Sequence, residues 1–222
     1  MKSPIVQSSR GITLVGGGPF SARDLRLCLS RAPLAVAADG GADRALRFGV
    51  MPEAVIGDFD SLSEAARDAI APARQHRLEE QTTTDFDKVL RSVEAPVYLA
   101  LGFAGARLDH GLAVFNTLIR RAGQRCIVIG PKDVAFAAPR ELRLTLKVGD
   151  TLSLFPFAPV TGQSEGLEWP IEGIAFAPGG MIGTSNRVMR REVRLAFDGP
   201  GMLCIVPRAR LDAVIRALTA AA

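Results

Sequence analysis

The chain has 222 residues, 48% hydrophobic and 23% charged, which supports a sizeable core in one large or two small domains. A formal charge of +4 without any block of five or six Lys/Arg argues against a nucleic-acid groove, and the positive excess suits a polyanionic small molecule. Cys28, Cys126 and Cys204 stand far apart in apolar contexts, as expected of reduced core thiols and not of disulfides or a metal knot. No run of eighteen apolar residues occurs and Met1 to Arg10 has no apolar core, so a soluble cytoplasmic protein with no membrane partner is expected.

Gly11 to Val15 is a β-rich run leading into Gly16-Gly17-Gly18-Pro19, after which Ser21 caps a predicted helix toward Arg31. Strand, glycine turn and helix together form a phosphate cradle; a tight turn with no ligand fits the same residues. A second strand, Leu34 to Ala38, ends in Asp39-Gly40-Gly41-Ala42-Asp43 and passes into a helix through Phe48. Asp39 stands where open α/β sheets place their ligands, or caps the helix, while Asp43 reads as a first-turn dipole partner.

The run Ala54-Val55-Ile56 meets Gly57-Asp58-Phe59-Asp60-Ser61. Two carboxylates one residue apart at a strand end repel each other unless a cation or a set of donors lies between them, which fits a Mg²⁺ site or an Asx-type turn. Ser63 starts a helix toward Ala71, and Arg74 to Leu78 is a further strand candidate. In Gln81-Thr82-Thr83-Thr84-Asp85-Phe86-Asp87-Lys88, Thr84 is the predicted N-cap, and the spacing puts Asp85 and Lys88 on one helical face. That pair serves a metal–phosphate site or is an exposed surface pair.

Pro96 to Leu101 is the next strand, followed by Gly102-Phe103-Ala104-Gly105-Ala106-Arg107-Leu108-Asp109-His110 and a long amphipathic helix from Leu108 to about Ala122. Arg107 presents a planar fork for phosphate oxygens and Asp109 a further acidic ligand; alternatively the two pair with each other. His110 is expected to orient a neighbour. Arg125 to Ile129 closes the series. Strands alternating with helices predict a parallel, doubly wound α/β sheet whose aspartate- and glycine-bearing strand ends converge on one side. Beyond Gly130-Pro131, Leu142, Leu144 and Leu146 alternate with polar residues, Lys147 to Asp150 is a turn, and Thr151 to Phe157 is a strand. Val193 to Phe197 and Met202 to Val206 flank Asp198-Gly199-Pro200-Gly201, which reads as a hairpin loop, and these short strands predict a β-sandwich. Leu211 to Ala221 reads as a terminal helix.

Taken together, these residues resemble the thiamine pyrophosphokinase family. The resemblance rests on Asp39-Gly40-Gly41-Ala42, Gly57 to Ser61, Gln81 with Thr84-Asp85-Phe86 and Lys88, Gly105 with Arg107 to His110, Gly166-Leu167-Glu168-Trp169, and Thr184-Ser185-Asn186. It implies an α/β nucleotide- and Mg-binding domain over residues 1–135, a β-sandwich thiamine-binding and dimerisation domain over 136–222, a homodimer, and transfer of pyrophosphate from ATP to thiamine with release of AMP. It further implies Asp58, Asp60, Asp85 and Asp109 as ligands of Mg²⁺, with Arg107 and Lys88 joining them in catalysis. ATP is expected against Gly17, Gly18, Asp39, Gly40, Gly41, Gly102, Gly105 and Arg107. Thiamine is expected at Gln81, Thr84, Asp85, Asp109, Trp169, Ser185 and Asn186. Two positions depart from the family pattern: Asp43 stands where asparagine is common, and Thr82 where many bacterial members carry aspartate. Competing readings are a diphosphokinase for another hydroxymethyl heterocycle, such as a pterin, and a non-catalytic nucleotide- or thiamine-binding regulator.

Overall fold

The computed structural model describes residues 3–80, 82–105 and 107–220 and divides into two compact units at Thr117/Leu118. In the first unit the chain runs through β1 (Val6–Gln7), β2 (Ile12–Val15), α1 (Ala22–Leu29), β3 (Leu34–Ala38), α2 (Gly41–Arg47), β4 (Ala54–Gly57), α3 (Glu64–Ala69), β5 (Gln75–Arg77), α4 (Asp85–Arg91), β6 (Val93–Glu94), β7 (Tyr98–Leu101) and α5 (Leu108–Arg120). Strands β7, β2, β3, β4 and β5 lie side by side in that order, each pair parallel. Every residue of β2, β4 and β7 is buried, as continuous apolar runs in a parallel sheet require, whereas β5 is partly open. β1 and β6 form a separate two-residue parallel ladder.

The helix starts fall where cap residues set them. Ser21 and Asp24 form a reciprocal capping box on α1; the Ser63 hydroxyl accepts from Ala66 N–H at 3.1 Å, and the Thr84 hydroxyl from Asp87 N–H at 3.3 Å. Helix α2 approaches β2 so closely that a Cβ on Gly41 would lie 2.0 Å from the Val15 carbonyl oxygen, so only glycine fits there.

The second unit contains β8 (Cys126–Ile129), β9 (Asp133–Ala137), β10 (Glu141–Thr145), β11 (Thr151–Pro156), β12 (Gly162–Glu165), β13 (Gly183–Arg187), β14 (Glu192–Phe197), β15 (Met202–Pro207) and α6 (Leu211–Ala220). Antiparallel pairing orders β8-β9-β15-β11-β13 in one sheet and β10-β14-β12 in another. Leu142, Leu144 and Leu146 are buried as their alternation predicts. The segment 198–201 is not a hairpin loop, because β14 pairs with β10 and β12 while β15 pairs with β9 and β11. Asp198 accepts from the Thr161 amide and hydroxyl, both at 2.9 Å, and the Phe157 amide donates to the Gly201 carbonyl, so these residues carry the chain from one sheet to the other. Helix α6 packs on β10, and Arg210, just before it, grips Asp150 at 2.5 and 3.2 Å.

All three cysteines are buried free thiols, and burial pushes those of Cys126 and Cys204 far above the usual range, which leaves them unreactive. Among the described residues no helix is long and apolar enough to cross a membrane.

Candidate active site

The strand order sets the place of the site. From β2 the chain steps outward through β3, β4 and β5, then returns to lay β7 against the opposite side of β2. At such a reversal the loops beyond the carboxyl ends of the two central strands diverge and leave a crevice. A cleft of about 450 Å³ lies there. Its walls include Gly16 to Gly18 after β2, Asp39 and Gly40 after β3, Asp58 and Ser61 after β4, Thr83 to Phe86 and Lys88 around the start of α4, and Gly102 and Phe103 after β7. Arg107, His110 and Val114 line a further part.

The glycine wall is bare main chain. A Cβ on Gly16 or on Gly18 would stand 2.6 Å from the Gly102 carbonyl oxygen. The amides of Gly16 and Gly18 donate to the carbonyls of Leu101 and Gly102, both at 2.8 Å, so Gly18 shapes the wall with its N–H already engaged. Of the expected nucleotide residues, Gly17, Gly18, Asp39, Gly40, Gly102 and Arg107 line the cleft. Gly41 instead seats α2 on β2, and Gly105 has a φ of 96° with open space about its Cα.

Carboxylates gather at the ends of β3 and β4. One oxygen each from Asp39, Asp58 and Asp60 lie within 4.8 Å of one another. Asp39 is 2% exposed; its Oδ2 accepts from the Ser61 amide at 3.2 Å, while its buried Oδ1 meets no donor among the described residues. Burial, and then the neighbouring carboxylate of Asp60, push Asp39 up to about 7. Phe59, between the two loop aspartates, takes a left-handed φ of 69°, and the loop's far end is pinned by Asp43, which accepts from both the hydroxyl and the amide of Ser63. Asp43 therefore anchors the acidic loop to α2, a larger role than a dipole partner.

Lys88 lies 2% exposed beneath this group, its ammonium 2.9 Å from Asp58 Oδ2 and 3.2 Å from Asp85 Oδ1. Burial alone pulls the ammonium down, but the bonds to the two carboxylates outweigh it and hold Lys88 above the ordinary lysine value. Lys88 in turn holds the Asp58 carboxyl below the usual range, against the effect of burial. The Asp85–Lys88 pair is thus buried at its lysine end, and not the fully exposed pair that helical spacing also allowed.

Arg107 and Asp109 face each other at 2.6 and 3.1 Å, both largely exposed, and the guanidinium holds Asp109 down to about 2. Asp85 and Asp109, both expected as metal ligands, stand outside the trio: Asp85 shares the Lys88 ammonium with Asp58, and Asp109 pairs with Arg107. Asp39 supplies the third oxygen, a part that its position at a strand end beside β4 foreshadowed. The positive charge excess lies elsewhere: residues 1–117 hold 13 Lys/Arg against 14 Asp/Glu, and residues 118–222 hold 14 against 9.

The three residues expected at thiamine in the second unit come together around β13. Trp169 leaves 53% of its surface exposed. Asn186 is buried, donates to the Trp169 carbonyl at 2.6 Å and accepts from the Trp169 amide at 3.2 Å, so its side chain is spent on fixing the tryptophan's backbone. Ser185 has a left-handed φ of 61° and gives its amide to the Ser153 hydroxyl. Gln81 lies outside the described residues.

Comparison with known proteins accords with this arrangement. Residues 25–129 match the family model of the thiamin pyrophosphokinase catalytic domain, and residues 140–201 that of the thiamin pyrophosphokinase vitamin B1 binding domain. The chain is 27% identical over 206 residues to thiamine pyrophosphokinase 1 of Oryza sativa subsp. japonica, covering 78% of each. It is 27% identical over 186 residues to thiamin pyrophosphokinase 1 of Caenorhabditis elegans, covering 75% of this chain and 76% of that one. In fold it is similar to the thiamin pyrophosphokinase of Candida albicans, with a TM-score of 0.75 at 15% identity over 93% of this chain and 95% of that one. The Bacillus subtilis structure gives a TM-score of 0.72 at 22% identity over 89% and 98%. With both family models matched in order and an acidic cleft inside the first, the chain belongs to the thiamin pyrophosphokinase family.

Proposed function

We propose that this protein transfers the terminal pyrophosphate of ATP to the hydroxyl of thiamine, giving thiamine diphosphate and AMP. The observation that carries the reading is the trio of Asp39, Asp58 and Asp60 at the sheet's reversal point, with one buried oxygen lacking a donor among the described residues. A compact set of hard carboxylate oxygens with an unmet one suits a divalent cation, and these three residues would hold Mg²⁺. Bound there, Mg²⁺ would offset the negative charge of the phosphates and polarise their oxygens.

The protein's own groups do the rest by position and charge. The bare main-chain wall of Gly16 to Gly18 admits the phosphates closely. Lys88 and Arg107 balance charge as the thiamine oxygen bonds to the β-phosphorus and the bond from that phosphorus to the AMP oxygen breaks. Asp85 lines the cleft and accepts the hydroxyl proton. Asp109 does not line it, and with its carboxyl held down to about 2 it is the poorer base. The exposed ring of Trp169 faces thiamine's cationic heterocycle, held by Asn186. The same reading takes the parallel sheet as doubly wound, the two antiparallel sheets as a sandwich, and the protein as a cytoplasmic homodimer. Exposed Trp169, Met181, Ile182 and Met189 provide apolar surface for that pairing.

A coupled assay of AMP release tests the reading: turnover is expected only with ATP, thiamine and Mg²⁺ together, and not with a hydroxymethyl pterin. Asp58→Asn and Asp60→Asn should each lower it by about 100-fold or more while the fold is kept. Near-normal turnover by both variants, or none by the parent protein, rejects it. Trp169→Ala should raise the KM for thiamine about 2- to 30-fold, the equivalent of ~0.5–2 kcal/mol of cation–π attraction, and leave that for ATP unchanged.

A further inference from the structure

The residues just before α4 hold a polar group that the proposed chemistry leaves unused. Glu80 Oε1 accepts from the hydroxyl of Thr82 at 2.5 Å and from that of Thr83 at 3.0 Å, while Oε2 accepts from the guanidinium of Arg91. Arg91 sits in the last turn of α4, whereas Thr84 caps the first. A seven-residue helix is about 10 Å long, so the Arg91 side chain ties Glu80 to the far end of α4 while Thr84 caps the near one. Between those ties lie Thr83, Thr84 and Asp85, all lining the cleft. Thr82 does not line it; its hydroxyl is turned to Glu80.

We infer that Glu80 is a positioning residue for the proposed reaction, its carboxylate fixing the loop that presents Thr83, Thr84 and Asp85 to the substrates. Glu80 bonds to the loop and to α4, with no contact to the cleft itself. Thr82 first, then Arg91 and Thr83, hold its carboxyl down to about 2, so the clamp stays charged at any working pH. Its neighbour Glu79 pairs with Arg77 at 3.5 Å, and both are well exposed. Removing Glu80 frees two hydroxyls and a guanidinium and lets the loop drift, and a shift of about 1 Å in a catalytic group is worth up to ~100-fold in rate.

The inference rests on the cleft being the catalytic site, and the experiment separates the two. Glu80→Ala and Arg91→Ala are each expected to lower kcat about 10- to 100-fold, with the KM for ATP moving less than ~3-fold and little change in melting temperature. The double variant should be no worse than the poorer single one, since the two residues act as one clamp. Glu79→Ala should match the parent protein. Parent-like kcat in Glu80→Ala, losses that multiply in the double variant, or a loss that follows a fall in melting temperature would overturn the positioning role. Asp85→Asn is run alongside: inactive Asp85→Asn with fully active Glu80→Ala removes only the clamp, whereas fully active Asp85→Asn removes the site reading beneath it.

Discussion

Asp39→Asn is expected to stabilise the metal-free protein and to leave it almost inactive. Asp39 is buried, faces the Asp60 carboxylate and has an oxygen without a donor, so its charged form is disfavoured in the fold. A carboxyl raised from 3.8 to about 7 on folding binds its proton more tightly in the folded state. Stability of the metal-free protein therefore falls as pH rises from about 4 to about 7, by an amount on the order of 2–4 kcal/mol, and is flat above. Asparagine at 39 carries no charge and can donate its amide to Asp60, so the variant should lack that slope and exceed the parent by about 2 kcal/mol at pH 8. Millimolar Mg²⁺ should restore the parent at pH 8, by ~2.7 kcal/mol at a hundred times the dissociation constant, and do little for the variant. Urea denaturation at pH 5 and pH 8, with EDTA or Mg²⁺, reads all four values. Parallel curves for parent and variant would remove Asp39 from any cation site.

Lys88→Met should cost both stability and turnover. The ammonium is buried between Asp58 and Asp85, and removing it strands a carboxylate that is only 16% exposed. Breaking such a bridge from one side costs ~3 kcal/mol, and loss of a cation beside the transferring phosphate costs ~1,000-fold in kcat. Asp58 is held below its ordinary value by Lys88, so its stabilising share is present above about 4 and disappears as pH falls through the lowered value. The variant should accordingly unfold less steeply in acid than the parent. Adding Asp58→Asn to Lys88→Met should return part of the stability, because no stranded charge remains, without returning activity. Full stability in the single variant, measured by urea denaturation, would mean that water reaches the bridge freely.

The first unit was largely legible because its strands are continuous apolar runs and its helices start at Ser21, Ser63 and Thr84, where side-chain caps act locally. The convergence of Asp39, Asp58, Thr84, Asp85 and Lys88 followed from placing each at a strand end or helix start of one parallel sheet. What escaped depends on partners distant in the chain. β12 (Gly-Gln-Ser-Glu) and β13 (Gly-Thr-Ser-Asn-Arg) carry little apolar alternation and exist by pairing with β14 and β11. The passage at 198–201 has a turn's composition, and only Asp198 reaching back to Thr161 makes it a crossing between sheets. Nor does helical spacing tell a buried lysine from an exposed one: Lys88 and the Arg107–Asp109 pair read alike in sequence, and burial separates them.

Along one side the cleft offers no side chain to alter. Where Gly16, Gly18 and Gly102 meet, backbone touches backbone, and even a methyl group would collide with a carbonyl. Redirecting such a pocket toward a different phosphate donor or acceptor is better sought through Phe103, His110 and Val114, and a mutational library spread evenly over all its walls would waste Gly16, Gly18 and Gly102 on chains whose backbones collide.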